Sequence, residues 1–220
     1  MPIHDFYGDT FVAYIDISGF KELMKQNKAI ISMNKFYSYG YYALQDQINN
    51  DLRIEGIFVS DCGILFVNTQ QNDITNKLRE LLKVVKKINK SMLIDNYMLT
   101  TSIAYGEFSY HEKLEFPGIE KNPIYGGAYV KAFLDNENGY PKIQPGQCRI
   151  IIDEFLKNQI NLNIENNDIL KMVVPIPGDK KHYRFYWNLE DSEQILGFEE
   201  KYKDAYNTKY AGMLKALKAD

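Results

Sequence analysis

The stretch Thr10-Phe-Val-Ala-Tyr-Ile-Asp16 decides the fold. It is a run of apolar, β-branched and aromatic residues, a pattern that predicts a strand buried on both faces. The run ends on a carboxylate, and Ile17-Ser-Gly-Phe20 then begins a helix. A carboxylate at the end of a buried strand costs several kcal/mol unless it is paired or bound to a cation. Asp16 is therefore a candidate functional residue.

Working outward from this strand, hydrophobic periodicity predicts helices and strands that alternate along the chain. Their order predicts an α+β fold with a ferredoxin-like βαββαβ core, an antiparallel sheet, helices on one face and an extra C-terminal helix. Residues 1–190 form the predicted core domain and residues 191–220 a helical extension. The predicted elements after the first strand are a helix over 32–49, strands over 54–59 and 64–67, a helix capped by Asp73, a strand over 97–108 broken at Gly106, a helix over 124–135, strands over 149–152 and 183–187, and one long helix over 193–217.

Composition excludes several classes of protein. The 220 residues are 25% charged and 45% hydrophobic, as in a folded globular protein rather than a disordered or collagen-like chain. The net charge of −3 argues against a nucleic-acid partner. No apolar run reaches the roughly 20 residues of a membrane helix, so we expect a cytoplasmic protein with no membrane partner. Cys62 and Cys148 are too few for a disulfide framework, and we expect Cys62 to be a small core residue.

Asp61 is the second candidate functional residue, because it lies at the turn between the two short strands. If this hairpin is a neighbour of the first strand, the carboxylates of Asp16 and Asp61 meet at one edge of the sheet. Two hard oxygen ligands suit Mg²⁺ or Mn²⁺, which also bind a triphosphate. Backbone N–H groups of Ile17 to Phe20 are candidate phosphate donors. The competing interpretation is that Asp16 caps a helix and Asp61 is an ordinary turn residue.

The two aspartate motifs also carry a family resemblance. Residues 11–20 and 59–66 resemble the two metal motifs of class III nucleotidyl cyclases. The chain more closely resembles the short bacterial pyrimidine cyclases of the Pycsar antiphage systems. Weaker supporting motifs follow in the family's order, namely Ser102 to Glu107, Tyr125 to Ala132, Tyr140 to Ile143, Tyr183 to Trp187, and Lys209-Tyr210.

The resemblance implies a catalytic domain over residues 1–190 that converts UTP to cyclic UMP and pyrophosphate, as an antiphage signal. It implies two Mn²⁺ or Mg²⁺ ions, held by Asp16, Asp61 and the Ile17 carbonyl. The ribose 3′-hydroxyl attacks the α-phosphate, which needs charge neutralisation and positioning rather than a covalent intermediate. A head-to-tail homodimer is implied as well. The expected nucleotide-binding residues are Ser18, Gly19, Phe20, Tyr105 and Lys131.

Several positions depart from the purine cyclases. Their lysine four residues before the second aspartate, which helps to read the base, is replaced by Ile57. An Asn and an Arg on the helix after the glycine motif are replaced by Val130 and Leu134. Short bacterial relatives often carry an Arg where this chain has Thr100. The changes at Val130 and Leu134 argue against an ordinary adenylate or guanylate cyclase, and Thr100 leaves the choice of base open.

Other interpretations stay open at this point. Tyr105 also fits an ordinary strand aromatic, and Lys131 a solvated surface lysine. For the whole chain, one alternative is a catalytically silent cyclase-homology module that binds a nucleotide or a protein partner. Another is a palm-type nucleotidyltransferase that joins nucleotides.

Overall fold

The computed structural model describes residues 3–46, 52–111, 114–116, 119–121, 123–162, 168–206 and 209–218. Short 3₁₀ turns at Ile169–Met172 and Ser192–Gln194 separate some of the longer elements. The strands are β1 (Phe6–Ile17), β2 (Arg53–Val59), β3 (Cys62–Asn68), β4 (Leu99–Tyr110), β5 (Leu114–Phe116), β6 (Ile119–Lys121), β7 (Ile124–Tyr125), β8 (Cys148–Ile151), β9 (Val173–Pro175) and β10 (His182–Phe185). The helices are α1 (Phe20–Lys25), α2 (Ala29–Gln45), α3 (Ile74–Ile94), α4 (Gly127–Asn138), α5 (Glu154–Gln159), α6 (Ile195–Tyr206) and α7 (Lys209–Leu217).

One eight-stranded sheet forms the centre of the fold. Its strand order is β2-β3-β1-β4-β8-β10-β9, and β7 pairs with the far end of β4. All neighbours are antiparallel except β4 and β8, which run parallel. The predicted α+β class and the mostly antiparallel sheet are confirmed. Among the described residues, no helix is long and apolar enough to cross a membrane.

Helices cover both faces of this sheet, so the predicted placement of helices on one face is wrong. Side chains alternate along β1, and Phe11 and Ala13 join the core formed with α1, α2 and α3. Val12 and Tyr14 point the other way, into a second cluster that includes Ala128 and Ala132 of α4. A strand that is apolar at successive positions has two faces to bury, and α4 covers the second one.

The sequence predicts a break in strand β4 at Gly106, and that prediction is wrong. β4 continues to Tyr110, and Gly106 adopts a φ of +146° within it. A Cβ on Gly106 would lie 3.7 Å from the Ala128 nitrogen. The glycine therefore gives the strand a local conformation that other residues rarely adopt, at the point where the first turn of α4 packs on it.

The predicted single C-terminal helix is two helices, α6 and α7. The Tyr202 hydroxyl lies 3.6 Å from the Met213 sulfur. Eleven residues of one continuous helix would separate them by about 16 Å, so the chain folds back on itself. Tyr202, Met213 and Leu217 join the same hydrophobic cluster as α3 and the sheet. The periodicity of both segments matched a helix, and it carried no information about the reversal between them.

A buried ion pair fixes α4 to the sheet. Asp135 of α4 accepts two hydrogen bonds from the Arg149 guanidinium, at 2.8 and 2.9 Å, and a third from Ser102 at 2.7 Å. His182 Nε2 lies 3.2 Å from the same carboxylate. Burial alone would raise the pKa of Asp135, but the bonds from His182, Arg149 and Ser102 outweigh it and hold the pKa at about 2.

We expect Asp135→Ala to lower the free energy of unfolding by about 3–5 kcal/mol, because it leaves the buried Arg149 charge without a partner. Urea denaturation followed by circular dichroism measures the change. Asn138→Ala, at the exposed end of the same helix, is the control and should stay within about 0.5 kcal/mol of the wild type. A loss below about 1 kcal/mol for Asp135→Ala would show that α4 does not depend on this ion pair.

Candidate active site

Strand pairing brings Asp16 and Asp61 to the same edge of the sheet. β1 lies between β3 and β4, so Asp16 is opposite Cys62 on one side and Thr100 on the other. Asp61 directly precedes Cys62 in the β2–β3 turn. The Ile17 N–H donates a hydrogen bond to the Asp61 carbonyl at 3.1 Å, which holds this turn against the end of β1. The predicted meeting of the two carboxylates therefore follows from the register of three strands.

The turn that carries Asp61 is held from a second direction. Ser60 has a left-handed φ of +55°, which is uncommon for a residue other than glycine. The Tyr37 hydroxyl of α2 donates a hydrogen bond to the Ser60 carbonyl at 2.8 Å. Helix α2 thus fixes the backbone immediately before Asp61.

Three ligand-type side chains converge at this edge. One ligand atom each from Asp16, Asp61 and Cys62 lies within 4.8 Å of the others. The Cys62 sulfur is 3.6 Å from Asp16 Oδ1 and 4.0 Å from Asp61 Oδ1. No second group of this kind occurs in the described part of the chain. These donors fit a divalent cation, with two carboxylates supplying hard oxygen ligands.

The electrostatics of the pair also favour a cation. Burial, and next the charge of Asp61, raise the pKa of Asp16 to about 7. Burial likewise raises the pKa of the Cys62 thiol to about 11, with further contributions from both carboxylates. Two carboxylates held this close repel each other, and a bound cation would remove that repulsion.

The helix-cap interpretation of Asp16 is wrong. Asp16 lies inside β1, which continues through Ile17. The N-cap position of α1 is Gly19, with a left-handed φ of +76°. The turn interpretation of Asp61 is correct as geometry, since the residue does lie in the hairpin turn. It does not compete with a ligand role, because the same turn places the carboxylate beside Asp16.

The predicted phosphate segment is in the expected place but offers fewer donors than expected. The Ser18 N–H donates to the Met98 carbonyl at 2.9 Å, so it is already used. The Ser18 hydroxyl is buried and has no hydrogen-bond partner among the described residues. Gly19 is exposed, whereas the Phe20 ring is buried in the core. The backbone of Gly19 and Phe20 is what this segment retains for a phosphate.

Tyr105 and Lys131 are not brought to the aspartate pair. The Tyr105 ring packs against Phe11, with centroids 4.9 Å apart, on the sheet face opposite Asp16. Lys131 is exposed on α4 beside Gly106. Gly106 is opposite Thr10, six residues before Asp16, which corresponds to about 20 Å along β1.

Cys62 is the site residue that the sequence analysis missed. The sequence predicts that Cys62 is a core residue. In the structure its side chain is half-buried, at the rim of the α4-side cluster. The Tyr14 hydroxyl lies 2.9 Å from its sulfur, and the Tyr14 ring packs edge-on against Phe133 of α4 at 5.3 Å. The available signal was the position of Cys62 directly after the turn aspartate, where antiparallel pairing of this strand with β1 places it opposite Asp16.

The positions at which the sequence departs from the purine cyclases or the short bacterial cyclases lie on the α4 side of the sheet. Thr100 is opposite Asp16, and its hydroxyl donates to the Asn136 side chain at 3.1 Å. Val130 and Leu134 are 48% and 49% exposed, one helical turn apart on α4. Ile57 is half-buried against the α4-side cluster. The exposed side chains of Val130 and Leu134 therefore form an apolar surface on this side of the sheet.

Solved structures with the same fold are nucleotide cyclase domains. The guanylate cyclase domain of RhGC from Catenaria anguillulae, in complex with GTP, superposes with a TM-score of 0.57 at 11% identity, over 83% of this chain and 97% of that domain. A dimeric guanylyl cyclase domain of the RhoGC fusion protein from Blastocladiella emersonii gives 0.58 at 11% identity, over 84% and 97%. A bacterial light-regulated adenylyl cyclase gives 0.53 at 12% identity, over 98% and 60%. The fold is that of the class III cyclase catalytic domain.

Sequence comparison adds little to this assignment. No family model matches the chain. A curated relative, DNA-directed RNA polymerase III subunit rpc6 of Dictyostelium discoideum, is 28% identical over 153 residues. That match covers 64% of this chain and 47% of the relative, so the chain spans about half its length. The likeness of this chain to cyclase domains is therefore a likeness of fold.

We expect Asp16→Asn to stabilise the cation-free protein at alkaline pH. The folded protein keeps a proton on Asp16 up to about pH 7, whereas the unfolded chain loses it near pH 4. Wild-type stability therefore falls as the pH rises through this window, and the amide removes that loss. In EDTA, the melting temperature of Asp16→Asn should exceed that of the wild type by about 2–4 °C near pH 8, with no gain near pH 4.

The exposed acid Asp204 provides the control, and Asp204→Asn should show the same melting temperature as the wild type at both pH values. A stabilisation by Asp16→Asn that is equal at both pH values would mean that ionisation of the buried Asp16 carboxyl is not its cause.

Proposed function

We propose that this protein is a metal-dependent nucleotide cyclase that converts a pyrimidine nucleoside triphosphate, UTP, to 3′,5′-cyclic UMP and pyrophosphate. The observation that carries the proposal is the convergence of Asp16 and Asp61 at one edge of a cyclase-type sheet. We further propose that residues 1–190 form the catalytic unit, that 191–220 are a helical extension, and that the protein acts in the bacterial cytoplasm in antiphage signalling.

The reaction joins the ribose 3′-oxygen to the α-phosphorus, releases the hydroxyl proton to solvent and breaks the bond from the α-phosphorus to the pyrophosphate oxygen. Two Mn²⁺ or Mg²⁺ ions, bound by Asp16, Asp61 and the Ile17 carbonyl, would neutralise the triphosphate and the charge that develops at the leaving oxygen. The chain's own contribution is positioning. Asp16 is fixed by strands on both sides, and Asp61 by the hydrogen bond from Ile17 to its carbonyl. The backbone of Gly19 and Phe20 is the proposed phosphate contact.

One feature supports a pyrimidine rather than a purine substrate. Ile57 provides no charged or hydrogen-bonding group at the position where purine cyclases use a lysine to read the base. Tyr105 and Lys131 play no part in this proposal, because they lie away from the aspartate pair.

The exposed Val130 and Leu134 favour a second candidate function, a catalytically silent module that binds a nucleotide or a partner. Two apolar side chains cannot make the ribose and phosphate contacts that an Asn and an Arg make in the active purine cyclases. The second candidate predicts nucleotide binding without turnover, whereas the first predicts both.

The test is incubation of the full chain with Mn²⁺ and each of the four ribonucleoside triphosphates, followed by chromatography of the products. We expect cyclic UMP and pyrophosphate from UTP. Asp16→Asn and Asp61→Asn should each lower the rate by at least about 100-fold, because each removes a charge that stabilises the transition state. Asp204→Asn is the matched control and should retain the wild-type rate.

Nucleotide binding without a product from any of the four triphosphates would reject the cyclase and support the silent module. A dinucleotide or polymeric product would indicate a nucleotidyltransferase that joins nucleotides. A cyclic purine product would retain the cyclase and reject the pyrimidine preference.

We also propose that the protein forms a head-to-tail homodimer through the exposed face of α4. Val130, Phe133 and Leu134 form an apolar patch on this helix, three and four residues apart. Exposed apolar patches of this kind are typical of protein interfaces. The buried Asp135–Arg149 pair on the other side of α4 keeps the patch in place.

We expect Leu134→Lys to shift the protein from dimer to monomer and to lower cyclase activity at least about tenfold, since burying a lysine in an apolar interface is costly. Sedimentation velocity measures the mass, and cyclic nucleotide production the activity. Leu196→Lys is the control, because Leu196 is 74% exposed on a different helix. A Leu134→Lys variant that stays dimeric would place the interface elsewhere.

A further inference from the structure

We propose that Cys62 is a third donor to the cation held by Asp16 and Asp61. The site would then be a mixed oxygen and sulfur site. It would bind a thiophilic divalent cation of the Zn²⁺ type more tightly than Mg²⁺. This inference rests on the proposed function to the extent that the two carboxylates must bind a cation.

The distances fit three ligands of one ion. A tetrahedral Zn²⁺ with a sulfur ligand at about 2.3 Å and an oxygen ligand at about 2.0 Å places those two atoms about 3.5 Å apart. The Cys62 sulfur is 3.6 Å from Asp16 Oδ1 and 4.0 Å from Asp61 Oδ1. The ligand atoms of all three residues lie within 4.8 Å of one another, so side-chain adjustments on the order of 1 Å bring them to one ion.

The position of the sulfur is set by the sheet and not by a loose loop. Cys62 is the first residue of β3 and is directly opposite Asp16, so both side chains leave the sheet on the same face. The Tyr14 hydroxyl, two residues before Asp16 and on that face, lies 2.9 Å from the sulfur. Two of the three donors, Asp16 and Cys62, thus come from paired strands, which hold ligands more precisely than loops do.

The two cysteines of the chain differ in a way that points to a role for Cys62. Cys148 is 1% exposed, as is usual for an unpaired cysteine that acts as a small core residue. Cys62 is half-buried and can be reached by an ion from solvent. It contacts two carboxylates and a hydroxyl, surroundings that a purely structural thiol does not need.

The chemistry selects the class of cation. On binding, the thiol releases its proton to solvent and the sulfur lone pair forms the bond to the metal. Thiolate favours Zn²⁺, Cd²⁺ and Co²⁺ over Mg²⁺, which prefers oxygen ligands in an octahedral arrangement. The competing role for Cys62 is a hydrogen bond that orients the Asp16 carboxylate, with no bond from sulfur to metal.

The test is a Co²⁺ titration of the full chain, followed by absorption spectroscopy. A sulfur-to-cobalt charge-transfer band is expected in the near ultraviolet. The band should disappear in Cys62→Ser and remain in Cys148→Ser, the matched control. Cys62→Ser should weaken Cd²⁺ binding by at least about tenfold and change Mg²⁺ binding by less than about twofold.

Each outcome separates this inference from the proposed function. Co²⁺ that binds without a charge-transfer band, and is lost in Asp16→Ala, overturns the sulfur donor and leaves the two-carboxylate site standing. Failure of Co²⁺, Mn²⁺ and Mg²⁺ to bind overturns both. A band that persists in Cys62→Ser also overturns the inference. Cys62→Ala provides a second variant. If neither variant folds, the wild-type spectrum alone decides whether sulfur binds the metal.

Discussion

The antiparallel register between β1 and β3 is the constraint on which the rest of the site depends. It places Cys62 opposite Asp16 and therefore puts Asp61, one residue earlier, beside the end of β1. Side chains alternate between the two faces of the sheet. A slip of one residue would therefore turn Asp16 into the core formed with α1, α2 and α3, and would turn Phe11 away from that core. The burial of Phe11, Ala13 and Ile15 thus fixes the register, and the register fixes the distance between the carboxylates.

Much of the fold could be predicted because its elements are strongly patterned. The run that ends at Asp16 and the helical spacing after Asp73 are both unambiguous, and the Asp73 side chain does accept the capping bond from the Asn76 N–H. The two faces of the sheet were predicted less well. Periodicity shows that a strand is apolar on both sides, but it does not show which helix covers each side. The reversal between α6 and α7 was missed for the same reason, since it depends on a tertiary contact between Tyr202 and Met213.

The site divides in a similar way. Asp16 and Asp61 could be predicted because a carboxylate at a strand end and another in a turn are local features of the sequence. Tyr105 lies on the opposite face, and Lys131 about 20 Å away along β1. The position of Tyr105 depends on which face of its strand the residue occupies, and that of Lys131 on the direction of α4. Neither can be read from a single residue in the sequence. Cys62 was overlooked because free cysteines are usually buried, and only the register shows its exposure to both carboxylates.

Tyr14 connects the aspartate site with the exposed apolar face of α4. Its hydroxyl contacts the Cys62 sulfur, while its ring packs on Phe133 within the exposed apolar face of α4. A ligand that orders Cys62 therefore also restricts Phe133, and a protein seated on Phe133 restricts Cys62. Thermodynamic linkage makes such an effect reciprocal, so the proposed cation binding and self-association would change each other's affinity by the same factor. One tyrosine side chain would then couple the two proposed ligands of this protein, the cation and a second chain.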